Sequence, residues 1–415
     1  MPMFKNILHY ANIFGLQWTL CVCLFDSALL PRWLLYGGLY IFFTTWLIEF
    51  IMEKRWQTKP TKEWFFFGML IVFFLWALLY WPWDGAHTYF RHHMEQRLPL
   101  LGFGIVGLFG LNERYSRAAI IHTMAVVSVC SVIFLFCATG WEQLLSPERV
   151  TYLAHTRVKY LNAHMGYNFF LNATLIGLWW LLFHGERKPA LWQKVTYPIC
   201  ALVIFTALLL SDGRSGFFMG LVILGMMGFA EIYRRHKWLS LGFSVFALAA
   251  LLTICTLHPR INTQNLSNDL RYCYWKSAVE LIREKPVLGY GISNAQEQFD
   301  QVNMKYASEA AVHYWTVLHH RYIDCHSQYI QTTLEFGFIG LILLLTIYLL
   351  PLWLCWRKVW GMAFFITLIS MGQSLFDVFI TGQFSIIYCL LFLMVMRMPR
   401  DYTPIAFLSS PSRTA

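Results

Sequence analysis

Apolar and polar positions divide this chain almost completely into apolar runs separated by short charged breaks. A helix rising 1.5 Å per residue needs about 20 mostly apolar residues to cross ~30 Å of hydrocarbon. Runs of this kind stand near residues 11–30, 33–52, 64–82, 98–112, 118–139, 166–184, 195–211, 215–232, 238–257, 333–354, 361–376 and 381–396. They are apolar throughout, without the alternation over ~10 residues that marks an outer-membrane barrel strand. The pattern predicts an all-α polytopic membrane protein of about 12 transmembrane helices. Two stretches between the runs are long: 258–332, far more polar than the rest, and the shorter 140–165.

The charged breaks give the orientation. With the N-terminus placed inside, the inward segments are 53–63, 113–117, 185–194, 233–237, 355–360 and the tail. Together with Lys5 they hold 18 of the 32 Lys and Arg residues. The short outward segments hold seven, including Arg32, Arg91, Arg97 and Arg214, and the long segment holds the rest. Basic residues concentrate in cytoplasmic loops, and long loops translocate regardless of charge. Both ends are therefore expected in the cytoplasm, with 258–332 as one long periplasmic helical loop. Lys5 precedes an apolar run, but no small-residue cleavage site follows, so the first span is expected to remain in place. The expected organisation is an N-terminal set of about six spans over 1–199, a second region over 200–396 that includes the loop, and a cytoplasmic tail over 397–415.

Composition narrows the function classes. The chain is 58% apolar and 13% charged, against about 25% charged in a soluble domain. Mean hydropathy is +0.50. A large soluble domain, disorder and a coiled coil are excluded. The net charge of +10 is accounted for by the inward loops, so no nucleic-acid partner is implied. No internal repeat appears, which weakens an inverted-repeat transporter.

Three polar clusters carry candidate chemistry. The first is the outward turn Ser211-Asp212-Gly213-Arg214-Ser215-Gly216. One reading has Arg214 reach the interface and pair with Asp212. The other is an anion site, since glycines admit close backbone approach and a guanidinium offers a planar fork to phosphate oxygens. The second runs from Asn268 to Ile282, with Ser267 or Asp269 as a helix cap. Leu270, Tyr274, Ser277 and Leu281 share one face, and Arg271 shares another with Trp275, Ala278 and Ile282. This predicts an amphipathic helix at the outer membrane surface. Arg271 is either on its wet side or a ligand to an anion. Lys285-Pro286 closes that helix, and Gly289-Tyr290-Gly291 turns the chain.

The third cluster runs from Asp324 to Gly340 into an apolar span. Asp324 as N-cap places His326 in the first helical turn. The helix N-terminus and nearby arginines then favour a neutral imidazole able to accept a proton. The alternative is a histidine that merely caps or covers the surface. Gly337 and Gly340 suit close helix packing. His313, His319, His320 and His326 match no zinc spacing, so no metal and no cofactor are expected. Among carboxylates near the spans, Asp26, Glu49 and Glu231 are expected to face headgroups. Asp377, on the outward link between the last two spans, can orient Arg214 or His326. Cys273 and Cys325 lie in the long loop, where a disulfide would join two of the clusters if that side is oxidising. Trp81, Trp83, Tyr89 and Phe90 read as an interfacial aromatic belt.

The three clusters in this order resemble the bacterial O-antigen ligase and polymerase superfamily, which also holds protein O-oligosaccharyltransferases. The resemblance rests on Arg214 in its Ser-x-x-Arg-Ser-Gly turn, on Arg271, Trp275 and Ala278 followed by Lys285, Pro286, Gly289 and Gly291, and on His326 through Glu335, Gly337 and Gly340. It covers roughly 200–390. It implies a metal-independent glycosyltransferase of the bacterial inner membrane whose active site faces the periplasm. The donor would be a glycan on undecaprenyl pyrophosphate, and the acceptor a sugar hydroxyl of lipid A–core. Arg214 and Arg271 would hold the pyrophosphate, with Asp377 and Tyr274 as further substrate-binding positions, and His326 would take the acceptor's proton. One dominant loop favours a ligase over a polymerase, which often has two comparable loops. The short tail disfavours a protein O-oligosaccharyltransferase. A lipid-linked glycan transporter would instead spread its cations through the membrane depth.

Overall fold

The computed structural model describes residues 2–24, 31–84, 87–111, 115–139, 164–185, 188–210, 214–257, 270–306, 324–354 and 361–398. Fourteen α-helices and no strand occur among the described residues. They are α1 (Pro2–Val22), α2 (Arg32–Met52), α3 (Trp64–Leu78), α4 (His87–Phe109), α5 (Arg117–Thr139), α6 (His164–Phe183) and α7 (Leu191–Leu210). The chain continues with α8 (Arg214–Arg235), α9 (Lys237–Leu257), α10 (Leu270–Glu284), α11 (Ile292–Tyr306), α12 (Gln328–Leu354), α13 (Met362–Gln373) and α14 (Gly382–Arg397).

Every predicted span falls on one of these helices, and only α10 and α11 lie outside the set. Six described segments are long and apolar enough to cross a membrane by themselves, from Trp64–Trp83 to Gln328–Leu354. Large apolar side chains stand exposed on the outer helices, among them Leu191 and Leu202 on α7 and Trp238 and Phe246 on α9. Such surfaces suit lipid, whereas in water they would drive association. Inside, one apolar core runs from Leu16 on α1 to Met394 on α14. The protein is a multi-pass, all-α membrane protein.

Several expectations are corrected. The first helix is Pro2–Val22 rather than 11–30, because Lys5, Asn6 and His9 interrupt an apolar run without breaking a helix. Glu49 does not face headgroups. It is buried and paired with Arg55 at 3.0 Å, with His9 Nδ1 3.6 Å away. Glu231 is partly buried and pairs with His184 at 2.7 Å. Both carboxylates found cationic or imidazole partners on neighbouring segments, which offsets the cost of leaving water. Of the proposed belt, Trp81 and Trp83 are exposed, but Tyr89 and Phe90 are buried beneath them.

The apolar face of α10 is covered by protein rather than left open. Tyr274, Ala278 and Leu281 pack against Ala295, Phe299 and Val302 of α11, and Cys325 and Leu334 complete this smaller core. A second amphipathic helix gave the apolar face a protein partner. Cys273 and Cys325 are both free thiols, and Cys273 Sγ donates to the Tyr306 carbonyl at 3.0 Å. Asp26, the cap candidates Ser267 and Asp269, and His313, His319 and His320 lie outside the described residues.

Candidate active site

The site is built around the start of α12. The helix begins at Gln328, not at Asp324, so His326 stands two residues before it. Gln328 is buried and explains the difference. Its backbone N–H donates to the carbonyls of Ser374 (2.9 Å) and Asp377 (3.0 Å). Its Oε1 accepts the N–H groups of Phe379 and Ile380, both at 2.7 Å. Backbone groups left unpaired in the link after α13 are thereby satisfied. One glutamine thus draws the 374–380 link against the segment that carries His326.

This docking gathers residues distant in sequence. The ligand atoms of Asp324, His326 and Asp377 all lie within 4.8 Å of one another. His326 Nδ1 is 3.5 Å from Asp324 Oδ1, and the His326 N–H donates to the same oxygen at 2.8 Å. Asp324 therefore closes a turn before the helix instead of capping it. His326 adopts φ +46°, a left-handed conformation that non-glycine residues seldom take outside constrained sites. Its side chain remains 37% exposed, so a substrate can reach it.

Tyr274 lies behind this imidazole. Its ring stacks on His326 with centroids 5.5 Å apart and planes at 29°, and only 1% of the residue is exposed. Arg271, one turn earlier on α10, places its guanidinium carbon 5.9 Å from the Phe376 ring, next to Asp377. Arg214 opens α8. Met219, further along that helix, abuts Gly372 near the end of α13. The start of α8 and the Asp377 link therefore meet at one end of the bundle. The second and third clusters of the sequence and Asp377 converge there.

Burial pushes the Asp377 carboxyl up to about 7, and the nearby Asp324 charge adds to the shift. The Val378 N–H and Arg271 oppose it. Ionised, Asp377 favours positive charge on the neighbouring imidazole, so a reaction that uses His326 as base should accelerate as pH rises through about 7. Asp377→Asn is expected to lower the rate on the high-pH side of the profile, where the ionised carboxylate would act. The profile should be recorded in EDTA, because Asp324, His326 and Asp377 are close enough to hold one divalent cation. Loss of the wild-type rate in EDTA would show that a cation, not a proton, occupies the cluster. Stability moves the other way: the contribution of protonated Asp377 is complete at low pH and is lost as pH rises through about 7.

A break in α12 sets the direction of its first two turns. Gly337 has φ +63° and ψ −165°, a region open essentially to glycine alone. The 285–291 segment fills the break. Tyr290 and Gly291 donate N–H groups to the carbonyls of Leu334 (3.0 Å) and Glu335 (2.8 Å). The N–H groups of Phe338 and Ile339 donate back to Pro286 (2.8 Å) and Val287 (3.4 Å). The Lys-Pro-x-x-Gly-x-Gly and Glu-x-Gly patterns are thus two sides of one clamp. Neither glycine pattern serves plain helix packing here.

Residues 199–345 match the family model described as O-antigen ligase. The match supports the O-antigen ligase and polymerase superfamily for this region, which is about a third of the chain. No curated protein matches the chain. The matched region holds Arg214, Arg271, Tyr274, Asp324, His326 and both sides of the clamp. It ends inside α12, short of Asp377, so it is less extensive than the 200–390 expected from the motifs. Outside the ligase-family region, the structure adds a residue that sequence reading assigned to loop charge. Arg97 of α4 is buried and pairs with Glu335 at 2.6 Å. The available signal was an arginine bordering the apolar run at 98–112, since such residues in membrane proteins generally have a partner.

Beside the link, a cavity of about 930 Å³ opens between α2, α4 and α14. Tyr40, Phe43 and Phe384 line it, with Glu95 and Gln383 as polar groups, and Thr381 and Gly382 lie only a few residues beyond Asp377.

Proposed function

We propose that the protein is an O-antigen ligase that moves a glycan from undecaprenyl pyrophosphate to a sugar hydroxyl of lipid A–core. The observation that carries this reading is the convergence of Asp324, His326 and Asp377 within 4.8 Å, beside Arg271, in a chain whose 199–345 region is of the ligase family. In the reaction, the acceptor oxygen bonds to the anomeric carbon while the bond from that carbon to the pyrophosphate oxygen breaks. The hydroxyl proton passes to His326, and the pyrophosphate leaves as an anion. Arg271 and Arg214 hold and neutralise that anion, where fixed cations in a site of low polarity act most strongly. Asp377 supports the imidazolium as it forms, and Tyr274 fixes the ring plane. The chemistry needs no metal in this reading.

On this reading the site faces the periplasm from the bacterial inner membrane. The excess of Lys and Arg in the opposite loops supports this orientation. The lined cavity between α2, α4 and α14 supports sideways entry of a lipid substrate from the bilayer. The test is the surface glycolipid profile of the host with and without this gene, resolved on a gel beside its lipid-linked glycans. Loss of long chains from lipid A–core, with polymerised glycan accumulating on undecaprenyl pyrophosphate, is the expected result. Lipid A–core carrying single repeat units would instead identify a polymerase.

A further inference from the structure

We propose that Arg97, in the half of the chain outside the ligase-family region, is a positioning residue for the base. Through Glu335 and Gln331 it fixes the backbone turn that presents His326. The inference rests on the reading of His326 as base and adds to it a device that holds that base in place.

The turn gains from outside support, because φ +46° at His326 is a conformation that non-glycine residues seldom take, although histidine takes it more readily than most. The peptide groups of Cys325 provide the hold. The Cys325 N–H donates to Gln331 Oε1 at 3.0 Å, and its carbonyl accepts Trp275 Nε1 at 3.0 Å. Gln331 is then the critical link. Its own Nε2 donates to Glu335 Oε1 at 2.8 Å, so the glutamine is fixed at both ends of its amide.

Glu335 is fixed in turn. Its Oε2 accepts Arg97 Nη2 at 2.6 Å, with both side chains 2% exposed. The Arg97 guanidinium also sits over the Phe336 ring at 5.7 Å and reaches the His93 carbonyl at 3.5 Å. The carbonyl of Glu335 is held by Gly291 across the break. The chain of contacts therefore runs from α4, through a buried ion pair, along one face of residues 328–336, to the peptide next to the base. A packing role would need the ion pair alone. The two-ended glutamine that continues from it to Cys325 is what points to positioning.

Because a single neutralised partner leaves a buried charge behind, the variants are chosen to avoid that. Gln331→Met cuts the relay while keeping the ion pair. The double variant Arg97→Met with Glu335→Gln removes both charges together. Arg97→Lys keeps the charge with a shorter reach. Each is purified in full length, checked for its folded fraction, and assayed with a lipid-linked glycan donor and a lipid A–core acceptor.

The expected result is a fall in kcat of about 100-fold per folded molecule for Gln331→Met and for the double variant, the size expected from a misplacement near 1 Å. Donor KM should change less than twofold, and Arg97→Lys should recover most of the rate. Wild-type kcat per folded molecule in Gln331→Met or in the double variant would overturn the proposal. A rise in donor KM matching the fall in kcat would also overturn it, since the lesion would then lie in donor binding. His326→Asn separates the two levels. If it keeps wild-type turnover, the base reading itself fails; if it is inactive while Gln331→Met is normal, only the positioning role fails.

Discussion

Replacing His326 by asparagine is expected to lower glycan transfer by about 10²–10⁴-fold, the usual contribution of a positioned general base, while donor binding stays intact. Asparagine is the informative choice. It tolerates the left-handed backbone that His326 adopts, keeps a polar side chain at the mouth of the site, and cannot accept the proton. Alanine would mix loss of the base with strain at φ +46°. The retained binding follows from the geometry, because the cationic ligands assigned to the pyrophosphate stand on α10 and at the start of α8, not on the His326 turn. The check is single-turnover transfer together with equilibrium binding of the lipid-linked donor to the purified protein. Unchanged transfer would remove His326 from the chemistry, whereas donor binding with no transfer even by the parent protein would leave a lipid-linked glycan transporter as the better account of the same arginines.

Gly337→Ala is expected to be the most damaging single methyl added to the chain. Its backbone lies at φ +63° and ψ −165°, where a side chain costs of order 1–3 kcal/mol from local strain alone. The new Cβ would stand 2.1 Å from the Val287 carbonyl oxygen and 2.5 Å from the Leu288 nitrogen. Both are backbone atoms held by the clamp, so neither can step aside without releasing the hydrogen bonds across the break. A loss of stability beyond about 3 kcal/mol is the expected sum. It should appear as a large drop in apparent Tm in detergent, with transfer lost at temperatures the parent withstands. Gly68→Ala on α3 is the control, because a Cβ there meets nothing within 4 Å. Equal melting of the two variants would show that the break in α12 is not a structural requirement.

The candidate site was only partly legible in the sequence. Arg271 and His326 were identifiable because each lies in a short polar pattern beside an apolar run. Asp377 stood out less clearly, as a carboxylate on the outward link. The face of α10 was legible too, since Tyr274, Ser277 and Leu281 recur at helical spacing and all three are buried. What that face packs on was not legible, because α11 supplies it from a different segment. Gly337 read as a small residue for helix packing, and 285–291 as the end of a helix. Their joint role depends on hydrogen bonds between residues more than 40 positions apart, such as Tyr290 to Leu334.

Periodicity reports only on near neighbours along the chain, and it was sufficient where near neighbours decide the outcome. By itself the sequence determined that the chain is an all-α membrane protein, where nearly all of its helices lie, and which polar clusters could carry chemistry. A run of apolar residues in hydrocarbon has to satisfy its own backbone, and a helix does that locally. Only the tertiary structure decided that α12 starts at Gln328 and breaks at Gly337, that Glu49 and Glu335 are buried with arginines, and that Asp324, His326 and Asp377 share one site. In each case a polar group taken out of water required a partner, and that partner came from a distant part of the chain.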